Sequence, residues 1–88
     1  MKLIETRIKV TSYFEPSAVA MLVQTASKFR SHISLVLEEK TANAKSIMGI
    51  ISLNMQEGQT VKIVAEGEDA NEAVSAMERF FELPLGAG

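Results

Sequence analysis

Cysteine is absent from this 88-residue chain, which excludes both a disulfide framework and a thiolate metal site. Long apolar runs are absent as well, and nothing approaches the roughly 18–20 residues that cross a bilayer. Excess positive charge is missing: nine Lys and Arg against eleven Asp and Glu leave a formal charge of −2, with a pI near 5.3. The basic residues are scattered and form no stripe, so neither direct nucleic-acid binding nor an anionic membrane surface is expected. Residues 1–10 alternate apolar and polar from the start, the pattern of a strand and not the apolar block of a secretory leader. A cytoplasmic protein without cofactor or metal is the expectation.

What is present suits one small domain over residues 1–88. Hydrophobic residues make up 47% and charged residues 23%, the balance of an ordinary globular protein with a core of one or two layers. Leu3 to Val10 alternates, with Ile4, Thr6, Ile8 and Val10 on one face, and reads as a half-buried strand. Pro16 sits well in a first helical turn, and Ala18, Leu22, Thr25 or Ala26 and Phe29 recur at helical spacing. The spacing predicts a helix over Pro16 to Phe29. His32 to Leu37 is a second strand with Ile33, Leu35 and Leu37 alternating, and Glu38-Glu39 turns into a short third strand, Lys40 to Ala44. That turn is weakly specified, because tight hairpins prefer Asn-Gly or Asp-Gly.

Ser46 is a good N-cap for a short helix, Ile47 to Leu53. Thr60 to Ala65 forms a fourth strand with Val61, Ile63 and Ala65 inward. Gly67 ends it, and Asp69 or Asn71 caps a last helix whose buried stripe is Ala70, Ala73, Val74, Met77, Phe80 and Phe81. Residues 83–88 read as a disordered tail. The order is βαββαβα: an α+β protein with helices on one face of a four-stranded antiparallel sheet.

Periodicity leaves a surplus. Ile50 and Leu53 satisfy the core-facing stripe of the middle helix, whereas Ile47, Met48 and Ile51 point elsewhere. A two-layer domain cannot enclose a helix that is apolar all round. Ala20, Val23 and Ser27 show a similar excess on the first helix, with Gln24 beside them. Together these residues form either an exposed docking patch or, for Met48 and Ile51, fillers of core gaps.

Two runs carry a resemblance. Val23-Gln24-Thr25-Ala26-Ser27-Lys28-Phe29 and Asn43-Ala44-Lys45-Ser46-Ile47-Met48-Gly49-Ile50-Ile51-Ser52-Leu53 are similar to helices of HPr, the histidine-phosphocarrier family of bacterial sugar phosphotransferase systems. The likeness extends through Ala65-Glu66-Gly67-Glu68-Asp69 and the last helix, about residues 8 to 82. It implies the open-faced β-sandwich of that family, in agreement with the order above.

The resemblance also implies where chemistry would sit. The family carries phosphate on a histidine at the head of the first helix, where imidazole is nucleophilic near neutral pH and amides and an arginine hold the anion. In this chain the matching positions are Glu15 and Ser17, so no catalytic residue is expected. The single histidine, His32, lies at the head of the second strand. The family's regulatory serine corresponds to Ser46, implying phosphorylation by an HPr kinase/phosphorylase-like enzyme and recognition by a LacI-type transcription regulator. Ala20, Val23, Gln24, Ile47, Met48 and Ile51 match the family's docking surface. The chain is similar to the histidine-less catabolite-repression branch, although that branch usually retains the arginine replaced here by Ser17.

The leading expectation is therefore a non-enzymatic regulator, monomeric or weakly dimeric, switched at Ser46. The alternatives are a constitutive adaptor that ignores phosphorylation and a residual phosphocarrier using Glu15 or His32.

Overall fold

The computed structural model describes residues 2–11 and 16–82; Glu15 and the 83–88 tail lie outside them. Seven elements follow in the order β1 (Lys2–Lys9), α1 (Pro16–Ala26), β2 (His32–Leu37), β3 (Lys40–Asn43), α2 (Ile47–Leu53), β4 (Thr60–Gly67) and α3 (Ala70–Glu82). The strands form one antiparallel sheet in the order β1-β4-β2-β3. β4 lies between β1 and β2, so the β1–α1–β2 and β3–α2–β4 units interlock.

Period-two burial runs through β2 and β4. Ile33, Leu35 and Leu37, with Val61, Ile63 and Ala65, face the helices and are buried. α3 packs on β1 and β4, α2 on β3, and α1 against both α2 and α3. From α3 the core receives Ala70, Ala73, Val74, Met77, Phe80 and Phe81, with the two phenyl rings edge to face at 6.0 Å. This is the apolar stripe expected for that helix, since its periodic apolar residues are separated by Glu, Ser and Arg that must stay wet.

Boundaries differ from the pattern reading in a few places. α1 ends at Ala26 and not at Phe29. Lys28 N–H and Phe29 N–H reach back only three residues, to Thr25 O and Ala26 O, and Asp69 takes the next two amides, Arg30 and Ser31. Val19 is buried in α1, although it lies off the stripe read from spacing; it belongs to the same core cluster as Ala18 and Leu22. β3 stops at Asn43, and β4 continues two residues beyond Ala65 to Gly67. The hairpin closes with Leu37 opposite Lys40, and Glu38 takes a left-handed φ of 56°, a conformation that Asn or Gly adopts at less cost.

Candidate functional site: the exposed face of α1 and α2

The turn before α2 is built from its own residues. Ser46 N–H donates to Asn43 O at 3.0 Å, and Lys45 N–H donates to Asn43 Oδ1 at 2.8 Å. Lys45 Nζ donates to the carbonyl of Phe29 at 2.8 Å, tying this turn to the loop that follows α1. Ser46 has an extended backbone and accepts the Gly49 N–H on Oγ at 3.1 Å, which satisfies one of the helix's free amides. Gly49 fits closely: a Cβ there would lie 3.3 Å from Ser46 Oγ and 3.5 Å from Ala42 Cβ. The Ser46 side chain is half-buried, ordered by the cap and still reachable. Asn54 ends the helix in a left-handed conformation, its N–H returning to Ile51 O.

α2 splits sharply by burial. Ile50 and Leu53 are enclosed, while Ile47 is 46%, Ile51 50% and Met48 73% exposed. The core-filler reading of Met48 and Ile51 therefore fails, because a seven-residue helix laid on β3 has one face to hide and no second layer above it. On α1, Gln24 is exposed, and Ala20 and Val23 are half-buried. Val23 also packs against the core. The residue that pattern reasoning missed is Met21, 57% exposed. Its spacing from Ser17 and Gln24, four residues and three, puts it on the outward face and was available as a signal.

Ser17 is exposed in the first turn of α1, one residue after Pro16. His32 is exposed at the start of β2, opposite Glu66 of β4. A shallow cavity of about 240 Å³, lined by Arg7, Val36, Glu38, Thr60 and Lys62, lies on the sheet face that carries no helix. It brings together none of the residues above. Among the described residues, no three His, Cys, Asp or Glu side chains gather as metal ligands, and no helix is long and apolar enough to cross a membrane.

The loop between α1 and β2 holds a further cluster that local sequence patterns do not reveal. Asp69 accepts Arg30 N–H at 2.8 Å, Ser31 N–H at 2.9 Å and Ser31 Oγ–H at 2.5 Å. The Ser31 hydroxyl and then the Arg30 amide hold its carboxyl down at about 2, against an ordinary 3.8. Sequence had offered Asp69 as a cap of its own helix; its carboxylate instead clasps the loop between α1 and β2.

Four antiparallel strands and three helices in the order βαββαβα, with a capped serine heading a half-exposed apolar helix, define an open-faced β-sandwich of the HPr type. The chain belongs to the HPr family of the phosphotransferase system: the match to the family described as "PTS HPr component phosphorylation site" spans residues 5–82. It is 38% identical over 78 residues to the HPr-like protein Crh of Halalkalibacterium halodurans, covering 89% of this chain and 93% of that one. The crystal structure of the phosphocarrier protein HPr from Bacillus anthracis superposes with a TM-score of 0.85 at 35% identity, over 91% of this chain and 98% of that one. Crh of Bacillus subtilis, described as a catabolite-repression protein and a domain-swapped dimer, matches with a TM-score of 0.74 at 34% identity, over 93% and 92% of the two chains.

Proposed function

We propose that this protein is a cytoplasmic regulator of the phosphoenolpyruvate-dependent sugar phosphotransferase system, lacking the phosphocarrier histidine and switched by phosphorylation of Ser46. The observation that carries the reading is the juxtaposition at α2: an ordered, reachable hydroxyl followed at once by exposed Ile47 and Met48, with Ile51 one turn on. Apolar side chains held in water on a rigid helix suit a protein partner. A phosphoryl group on Ser46 adds about two negative charges beside them, so a partner can read charge and apolar surface together. Ala20, Val23 and Gln24 extend the surface onto α1. The likeness to catabolite-repression proteins supports a role in carbon catabolite regulation, with an HPr kinase/phosphorylase-like enzyme writing the mark and a LacI-type regulator reading it.

Phosphocarriage is set aside on the residues. Glu15 and Ser17 stand at the family's histidine and arginine positions, and His32 heads β2 on the sheet, opposite Glu66 of β4 and outside the first turn of α1. The test is direct. Purified HPr kinase with ATP adds one phosphate to the protein, and Ser46→Ala takes none. Mass spectrometry that finds the wild type unmodified refutes the proposal. Ser46→Ala also loses the cap, which costs about 1 kcal/mol and lowers Tm by about 4–8 °C. Enzyme I with labelled phosphoenolpyruvate leaves no acid-labile phosphate on the wild type.

A further inference from the structure

We propose that Met48 is an oxidation-sensitive site: conversion of its thioether to the sulfoxide by a hydroperoxide disables the surface beside Ser46. The proposal rests on the functional reading above, because it concerns what that surface can still bind. With no cysteine in the chain, no thiolate competes for a two-electron oxidant. Sulfur is present only in five methionines.

The fold sorts them. Met55 and Met77 are buried among the core residues, whereas Met21 and Met48 are the two methionines among the exposed large hydrophobics. Both stand on the adjoining helices α1 and α2. Met48 is the most exposed of these hydrophobics and lies two residues from the Ser46 hydroxyl. Oxidant arriving from solvent therefore meets the thioether of the candidate docking face before it reaches either core methionine.

The reaction needs only the peroxide. A sulfur lone pair attacks one peroxide oxygen, the S–O bond forms and the O–O bond breaks. The departing oxygen takes the proton left on the transferred one and leaves as water from hydrogen peroxide, or as an alcohol from an organic hydroperoxide. Sulfur is oxidised by two electrons and the peroxide is reduced by two. The product carries a polar oxygen in the middle of an apolar strip, and a partner must bury it or leave a gap. Because the Met48 side chain projects into water, the domain itself has no reason to unfold. Sulfoxide reductases reverse the change, so the site can report oxidative conditions without being lost.

The experiment uses the whole chain and hydrogen peroxide. After partial oxidation and digestion, mass spectrometry shows Met48 and Met21 converting at least about tenfold faster than Met55 and Met77, as exposure dictates. Circular dichroism shows the fold retained. Purified HPr kinase with ATP then phosphorylates the oxidised protein about tenfold or more slowly, the scale of burying an unpaired polar oxygen. Sulfoxide reductase restores the rate. Met48→Leu, compared with its own untreated rate, no longer responds to peroxide, whereas Met21→Leu still does. Core methionines oxidising as fast as Met48, an unchanged rate with Met48 fully oxidised, or a response persisting in Met48→Leu overturns the inference alone. Absence of phosphate on the untreated protein overturns the functional reading beneath it.

Discussion

Asp69 shows how much one side chain can settle. Its carboxylate collects two backbone amides and a hydroxyl from residues 38 and 39 positions earlier in the chain. These donors favour the ionised form, which is why the group is held at about 2. The unfolded chain, with an ordinary carboxyl, binds the proton more readily. The contribution of the clasp is therefore fully present above about pH 4 and fades as pH falls through about 2. Asp69→Asn should be less stable than the wild type at pH 7, with the gap closing through that window. Urea midpoints at a series of pH values check this, and a gap that stays constant with pH would show that the charge is not what matters. Such a residue is illegible in sequence: an Asp before a helix reads as a local cap, and only the fold brings Ser31 to it. Ser46 was legible for the opposite reason, since its partner Gly49 lies three residues away and a local pattern contains the whole interaction.

The same division holds for the elements. α3 and β2 match their sequence patterns because apolar spacing decides them, and every buried residue of α3 could be read from its period. α1 ran short because its end is set by tightening turns and by the Asp69 clasp, neither of which lies in a helical window. β4 extends to Gly67, whose φ of 148° is a conformation that side chains avoid. There the strand passes against Ser31, and a Cβ on Gly67 would lie 2.6 Å from Ser31 Oγ and 2.8 Å from Ser31 Cα. Backbone cannot yield as a flexible side chain does. Gly67→Ala should cost about 2 kcal/mol or more, from strain and from displacement of the hydroxyl that Asp69 holds. Thermal unfolding measures the loss. A variant as stable as the wild type would mean that the β4 end and the α1–β2 loop separate freely.

At the scale of the molecule, 35 × 28 × 21 Å in extent, two layers leave every helix with one face in water. Stability and recognition can therefore use different residues of the same helix: Ile50 and Leu53 belong to the core of α2, while Ile47, Met48 and Ile51 face outward. A comparison of two substitutions tests that separation. Phe81→Ala removes a ring enclosed between α3 and the sheet, at a cost of about 3–5 kcal/mol. That is a large part of what a domain of this size possesses. Met48→Asp alters a side chain that the fold does not enclose, so stability should move by no more than about 0.5 kcal/mol. The same change places a charge in the strip beside Ser46, and phosphorylation by HPr kinase should fall by about tenfold or more. Urea unfolding and the kinase rate, measured on both variants, separate the two roles. If Met48→Asp proves as destabilising as Phe81→Ala, the outward face of α2 is structural, and its apolar side chains need another explanation than a partner.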